Sequence, residues 1–226
     1  MMTFPRILAS GVVCLTAALS AFAEDGFVSL FNGKDLEGWT RRSGLAEYRV
    51  EGGEIVGKTV ANTGNSFLCT LKPYTNFILE FEFKVAAELN SGVQFRSEFF
   101  EKETEVEIEG KTKVFPADRV FGYQYEIDPS PRRYTGGIYD EGRRGWLANL
   151  AANEGAQKAF KPGDWNKGRV ECRKDEIKTF LNGVKAAQIT DSKTLKGIIG
   201  LQVHGIPKNR EPGEEVRFRN IRIKEL

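Results

Sequence analysis

The chain has 226 residues and a nearly balanced charge, with 33 lysines and arginines against 31 aspartates and glutamates. This balance gives no reason to expect a nucleic acid or an anionic membrane surface as a partner. A chain of this length can form one domain with a substantial hydrophobic core.

The N-terminus has the pattern of a cleavable export signal. Arg6 precedes an apolar run over residues 7–19, and residues 21–23, Ala-Phe-Ala, offer a cleavage site of the small-x-small type. The run is too short to span a bilayer, and no later stretch reaches the length of a membrane helix. We therefore predict a signal peptide at residues 1–23, a single mature domain at residues 24–226, and a periplasmic or secreted location.

Short stretches of alternating apolar and polar residues follow one another along the mature chain, each bounded by turn residues. Residues 76–85 form a long stretch of this kind, and Asn182-Gly183 is the clearest two-residue hairpin turn. We interpret residues 98–119 as an inserted hairpin on the rim, and residues 148–159 as a short helix. About a dozen strands with little helix predict an all-β fold, a two-sheet β-sandwich or jelly roll.

Two local features of the predicted strands concern single residues. In the last strand the apolar positions change phase near Asn220, which predicts a β-bulge there. Cys69 and Cys172 each lie inside a predicted strand. A disulfide between them requires the strands to bring the two Cβ atoms within about 4 Å, and two buried thiols are the alternative.

Three predicted strands have one face with unusual polar side chains. Their core-facing positions are aliphatic or aromatic, and the alternate positions carry amides, carboxylates, a guanidinium and the chain's single histidine. These polar residues are Gln94 and Arg96, then Gln124, Glu126 and Asp128, then Gln202 and His204. If the strands are neighbours in one sheet, the side chains form one patch that can bind sugar hydroxyls and a carbonyl. An ordinary solvated sheet face is the alternative.

The Gly- and Arg-rich loop after these carboxylates adds further candidates. Tyr139 and Trp146 can serve as stacking platforms for a sugar ring, and Arg143 can hold a ligand oxygen or simply be solvated. Glu126 and Asp128 lie on one face of the strand, roughly 7 Å apart. The two acids can divide acid and base roles between them, or form a metal site together with His204.

Other chemistries find no support in the sequence, which has no Cys-x-x-Cys, His-Glu-x-x-His or Gly-x-Ser-x-Gly motif. Eight short motifs do follow in order along the mature chain: SLFNGKDLEGW (29–39), NSGVQFR (90–96), GYQYEID (122–128), TGGIY (135–139), DWN (164–166), LNG (181–183), GLQVH (200–204) and FRNI (218–221). On this ordered set, the chain resembles the DUF1080 family, the 3-keto-disaccharide hydrolase domain with a concanavalin A-like jelly-roll fold.

The resemblance implies cleavage of glycosides whose C3 hydroxyl has already been oxidised to a ketone by a separate oxidoreductase. A ketone at C3 acidifies the proton on C2, so a base can form an enediolate and the C1 substituent can then leave. Water adds back to complete a net hydrolysis, or the reaction stops as a lyase. No nicotinamide or flavin is expected in such a protein, and a carbohydrate is the expected partner.

Roles in this chemistry can be assigned to the residues of the polar strands. Glu126 or His204 is the expected base, and either Arg96 or a divalent cation held by Glu126 and His204 polarises the ketone. The residues expected to bind the sugar are Gln94, Gln124, Asp128, Tyr139, Arg143, Trp146 and Gln202. Two other functions stay open at this point, an ordinary retaining glycosidase and a non-catalytic carbohydrate-binding module.

Overall fold

The computed structural model describes residues 26–226, so the predicted signal peptide lies outside the described residues. The strands in chain order are β1 (Val28–Ser29), β2 (Trp39–Ser43), β3 (Glu47–Glu51), β4 (Glu54–Lys58), β5 (Ser66–Thr70), β6 (Phe77–Val85), β7 (Ser91–Ser97), β8 (Thr104–Ile108), β9 (Lys111–Phe115), β10 (Gly122–Ile127), β11 (Ile138–Glu141), β12 (Gly145–Ala148), β13 (Asn166–Arg173), β14 (Glu176–Leu181), β15 (Val184–Thr190), β16 (Ile198–Val203) and β17 (Glu215–Glu225). One helix, α1 (Glu154–Ala159), precedes β13.

The strands form two antiparallel sheets that pack face to face. Sheet 1 has the order β15-β14-β13-β6-β17-β4-β3, and β1 also pairs with β17. Sheet 2 has the order β12-β11-β10-β7-β16-β5-β2, while β8 and β9 form a separate hairpin. This arrangement confirms the predicted all-β sandwich. No helix in residues 26–226 has the length and hydropathy needed to cross a membrane.

The core between the sheets comes from the apolar positions of alternating strands. In β6, the residues Phe77, Leu79, Phe81, Phe83 and Val85 are all buried, and they face the buried positions of β10. The rings of Phe81 and Tyr125 meet edge to face, with their centroids 5.2 Å apart. Because the side chains of a strand alternate between its two faces, this packing turns Gln124 and Glu126 to the outer face of sheet 2.

The predicted local features are present in the structure. The turn residues Asn182 and Gly183 both have positive φ angles, as a hairpin turn of this length requires. The register of β17 against β6 shifts between Arg219 and Arg222, at the position predicted for the bulge. Cys69 and Cys172 are buried free thiols, so of the two alternatives the structure has the unpaired one.

The predicted insertion folds back onto the outer face of sheet 2. Its hairpin, β8–β9, is followed by a segment in which Val120 packs with Phe67, Cys69 and Ile198 in a small hydrophobic cluster. The Val120 amide donates a hydrogen bond to the Ser43 hydroxyl at 2.9 Å. The insertion therefore covers one side of this face and leaves the side around β10 and β11 to be lined by polar groups.

Candidate functional site

The centre of the outer face of sheet 2 is a row of three buried amides. The sheet places β10, β7 and β16 side by side, as the sequence analysis expected, and pairs Gln124 with Gln94. Gln94 Nε2 and Gln202 Nε2 both donate to Gln124 Oε1, at 2.5 and 3.0 Å. A Cβ on Gly92 would lie 2.6 Å from the Gln124 side chain, so this position needs a glycine.

Glu126 lies at the end of this amide row and is only 6% exposed. Gln124 Nε2 donates to its Oε2 at 2.7 Å. Asn90 Nδ2, from the loop before β7, donates to its Oε1 at 2.6 Å. Each carboxylate oxygen therefore accepts one hydrogen bond from a neutral amide, and these two hydrogen bonds fix the orientation of the side chain.

Burial raises the pKa of Glu126 from its usual value of 4.5 to about 7. The hydrogen bonds from Asn90 and Gln124 lower this pKa, because they favour the charged form. The negative charges of Asp128 and Glu141 raise it further. A carboxyl group that titrates near neutral pH is suited to accept a proton from a substrate and return it.

This raised pKa has a consequence for stability. Because the folded protein holds a proton on Glu126 up to about pH 7 while the unfolded chain releases it near 4.5, stability falls as the pH rises through that window. Between pH 5 and 8, we expect the free energy of unfolding of the wild type to fall by up to about 3 kcal/mol more than that of Glu126→Gln. Denaturant unfolding of both proteins at the two pH values measures this difference. Equal losses would contradict the raised pKa.

Asp128 lies two residues after Glu126, and its carboxylate contacts the loop that follows β10. Its Oδ1 accepts a hydrogen bond from the Ser130 amide at 3.1 Å, and its Oδ2 lies 3.2 Å from Nη2 of Arg132. Its amide donates to the Thr135 hydroxyl. The carboxylate is almost fully buried. Through these contacts it stabilises the loop, and its negative charge contributes to the raised pKa of Glu126.

Tyr139 and Trp146 lie at the edge of the same face, as expected. Tyr139 pairs with Gln124 across β10 and β11, and Trp146 pairs with Tyr139 across β11 and β12. Their ring centroids are 5.3 Å apart and nearly perpendicular, and Tyr134 packs on the other side of Trp146. Both rings are partly exposed, so the face has an aromatic edge beside the amide row.

Arg96 does not share the face of Gln94, although strand alternation predicts that it should. Its φ angle of 46° is in the left-handed region, and β7 changes register against β16 at this point. The bulge turns the side chain away from the amide row. The guanidinium is fully buried and donates to the carbonyl oxygens of Thr75 and Lys174, both at 2.7 Å.

Arg143 also lies elsewhere, on the core-facing side of β10. Its Nε donates to Asp140 Oδ1 at 2.8 Å, and its guanidinium lies 5.2 Å from the centre of the buried Tyr123 ring. Arg144 pairs with the same Asp140 and, through Nη1 at 2.8 Å, with Asp191. The two arginines and two aspartates form a buried ion network beneath the β11–β12 hairpin.

His204 follows directly after β16 and is exposed to solvent. Its Nδ1 lies 2.7 Å from the carbonyl oxygen of Gly205, and within residues 26–226 no hydrogen bond joins it to the amide row. No group of three His, Cys, Asp or Glu side chains is arranged to hold a metal ion in this part of the chain. A cation on Glu126 and His204 would therefore lack a third ligand of these types there.

Four residues of this face were not predicted as site residues. Asn90 lies within the NSGVQFR motif, which could have drawn attention to it. Glu141 lies two residues after Tyr139 on β11, so strand alternation places both side chains on the same face and could have identified Glu141. Arg119 and Asn65 lie in irregular segments where no pattern indicates which side chains meet.

A separate groove of about 1070 Å³ lies on sheet 1, away from Glu126. Its charged residues are neutralised by one another, since Arg169 pairs with Glu171 at 2.6 Å and Arg222 pairs with Glu80 at 2.8 Å. A buried carboxyl group with a perturbed pKa is a better indicator of chemistry than cavity size alone. We therefore place the candidate site on sheet 2.

Comparison with solved structures finds several proteins of the same fold. A "putative glycosyl hydrolase" from Parabacteroides distasonis is 23% identical, with 89% of this chain and 94% of that chain covered and a TM-score of 0.55. The carbohydrate-binding module CBM66 from Bacillus subtilis is 17% identical, with coverages of 83% and 96% and a TM-score of 0.57. The β-glucanase from Bacillus licheniformis is 12% identical, with coverages of 88% and 97% and a TM-score of 0.53.

At these identities the likeness establishes a shared fold, and no match was found among curated proteins. A family model also matches the sequence. It covers residues 26–224 and describes a 3-keto-alpha-glucoside-1,2-lyase-like domain. The match includes the three polar strands of the site, β7, β10 and β16, and the segments between them. The chain therefore belongs to the 3-keto-alpha-glucoside-1,2-lyase-like domain family, which is the DUF1080 family that its motifs resemble.

Proposed function

We propose that this protein cleaves glycosides that carry a ketone at C3, with Glu126 as the catalytic base. The observation that carries the proposal is the state of Glu126, a buried carboxyl group with a pKa of about 7 whose two oxygens are held by amides. Membership of the family supports the choice of a 3-keto sugar as substrate. The exported location predicted from residues 1–23 is part of the same proposal.

The reaction follows from the acidity of a proton next to a ketone. The ionised Glu126 takes the proton from C2, and the electron pair of the C–H bond forms an enediolate with the C3 oxygen. The bond between C1 and its substituent then breaks, the substituent leaves with the electron pair and takes up a proton from the solvent, and a C1–C2 double bond remains. Water adds its oxygen at C1 and releases one proton to the solvent, while Glu126 returns a proton to C2, which completes a net hydrolysis.

The amides of the face have two roles in this proposal. Asn90 and Gln124 hold the carboxylate in one orientation. The base is therefore already oriented for the C2 proton when the substrate binds. Gln94 and Gln202 in turn hold the Gln124 side chain, because their Nε2 groups donate to its Oε1.

The aromatic edge of the face is proposed to orient the sugar ring. Tyr139 and Trp146 offer partly exposed rings beside the amide row, suited to contact the apolar face of a pyranose. His204 stays a candidate for contacts at the exposed end of the face. Arg96 and Arg143 have no role in the proposal, because their guanidinium groups are bonded elsewhere. A separate enzyme must oxidise the C3 hydroxyl beforehand.

A second candidate function is carbohydrate binding without catalysis. It is favoured by the fold shared with the module from Bacillus subtilis, and amides with an aromatic edge suffice for it. Catalysis is the stronger candidate because binding of a neutral sugar does not require a buried carboxyl group of raised pKa.

Parallel assays on a 3-keto-glucoside and on the same glucoside without oxidation test the proposal. We expect turnover of the 3-keto compound alone, because the unoxidised sugar has no acidic proton at C2. Turnover of the unoxidised glucoside would favour an ordinary glycosidase. Binding of either compound without any turnover would favour the carbohydrate-binding module.

A further inference from the structure

Three charged or polar side chains meet over the outer face of sheet 2, beyond the amide row. Arg119 Nη2 lies 2.7 Å from Glu141 Oε1, and Asn65 Nδ2 donates to the same oxygen at 3.3 Å. Glu141 belongs to β11, Arg119 to the insertion, and Asn65 to the loop before β5. Three strands separate β5 from β11 in sheet 2, so this contact requires the sheet to curve around its outer face.

Two of the three residues, Asn65 and Arg119, are held in place by further contacts. Asn65 Oδ1 accepts a hydrogen bond from the Gly205 amide at 2.9 Å. Arg119 is flanked by Asp118, which pairs with Arg42 and accepts a hydrogen bond from the Ser43 amide, and by Val120 in its hydrophobic cluster. The group is therefore preorganised, and it does not consist of loose surface charges.

One acceptor atom of this group lacks a partner among the described residues. Both donors to Glu141 reach Oε1, so within residues 26–226 Oε2 has no hydrogen bond although the side chain is only 10% exposed. An unsatisfied acceptor beside a guanidinium suits a ligand with several neighbouring hydroxyl groups, because hydroxyls both donate and accept.

The group is displaced along the sheet from the proposed base. The Glu126 amide donates to the carbonyl oxygen of Gly137, and Glu141 lies four residues further along the chain. This offset corresponds to roughly 13 Å of strand. The two backbone positions therefore lie farther apart than one pyranose ring is wide. From this offset we infer that Glu141 contacts the unit next to the sugar whose C2 lies at Glu126.

We propose that Glu141, Arg119 and Asn65 form a second subsite, which binds the hydroxyl groups of the departing sugar unit. These residues then determine the preference for the leaving group, while Glu126 determines the chemistry. The assignment deepens the proposed function and relies on it for the identity of the reacting sugar. The insertion at residues 98–119 contributes Arg119, so it supplies part of the specificity.

The test compares a 3-keto disaccharide of two glucose units with 3-keto methyl glucoside. Glu141→Gln and Arg119→Gln should each lower kcat/KM for the disaccharide by about tenfold, which is the loss of one charge-assisted hydrogen bond. For the methyl glucoside, the loss in kcat/KM should be much smaller, because this substrate lacks the second sugar unit and only the influence of the Glu141 charge on Glu126 remains. Glu176→Gln, which breaks the exposed pair with Lys178 on sheet 1, is the matched control. Equal losses on both substrates, or none, would overturn the subsite.

A binding measurement separates this proposal from the proposed function. NMR titration of Glu126→Gln with unoxidised disaccharide and with methyl glucoside needs no turnover, so it applies even if the wild type cleaves neither oxidised substrate. Introducing Glu141→Gln into the Glu126→Gln variant should lower the affinity for the disaccharide by about tenfold and leave the affinity for methyl glucoside unchanged. Unchanged affinity for the disaccharide would overturn the subsite. If Glu141→Gln does not fold, Arg119→Gln, whose side chain is 33% exposed, gives the same comparison.

Discussion

Glu126→Gln is expected to abolish turnover of a 3-keto-glucoside while the protein stays folded. Removing a general base typically costs a factor of about 10² to 10⁴ in rate. Glutamine has the same shape as glutamate, and its oxygen can accept the hydrogen bond from Gln124. Its amide nitrogen then faces Asn90, whose side-chain amide must turn so that its oxygen accepts. Steady-state kinetics with circular dichroism as the folding check measures the result.

The matched control for this prediction is Glu171→Gln, an ion-paired glutamate on β13 of sheet 1. It should keep wild-type kinetics, since it lies on the other sheet. If Glu126→Gln kept more than about a tenth of the wild-type rate, Glu126 would not be the base. His204 would then be the next residue to replace.

Asp140→Ala is expected to destabilise the protein by about 3–5 kcal/mol, the cost of removing one partner from a buried ion pair. Asp140 is fully buried and accepts from both Arg143 and Arg144. Without it, the buried Arg143 keeps only Thr194 and a distant Glu98 as polar side-chain partners in the described part of the chain. Denaturant unfolding of the two proteins measures the difference.

The control for this prediction is Glu176→Ala, which breaks an exposed pair and should cost less than about 1 kcal/mol. A loss below about 1 kcal/mol for Asp140→Ala would mean that the network beneath β11–β12 contributes little. A large loss would show that the hairpin carrying Tyr139, Glu141 and Trp146 is held in place from the core side.

The strands and their polar faces could be predicted from the sequence because alternation is a local property. Gln94, Gln124 and Gln202 all lie where their parity placed them. Alternation placed Arg96 on the wrong face because Arg96 itself has a left-handed φ and lies at a bulge in β7, which turns its side chain away from the face of Gln94. A sequence pattern does not reveal such a bulge unless the apolar positions also change phase, as they do near Asn220.

The contacts that complete the site could not be predicted, for a different physical reason. Asn90 reaches Glu126 from 36 positions away, and Asn65 reaches Glu141 from 76 positions away. Such pairs depend on sheet order and on the curvature of the sheet, which no single strand encodes. Arg143 was misplaced because the β11–β12 turn directs it toward Asp140 on the core side.

The central claim is that a proton leaves C2 of the sugar during cleavage. The most direct measurement uses a 3-keto-glucoside with deuterium at C2, with the product reduced at once by borohydride to stop further exchange. Spontaneous loss from the labelled sugar without protein supplies the correction. We expect the product of wild-type turnover to have lost deuterium to water, in part if Glu126 returns some of the same deuterons, and kcat/KM to be lower for the deuterated substrate than for the unlabelled one. Product that keeps all of its deuterium at C2, formed with equal kcat/KM for the two substrates, would contradict removal of the C2 proton.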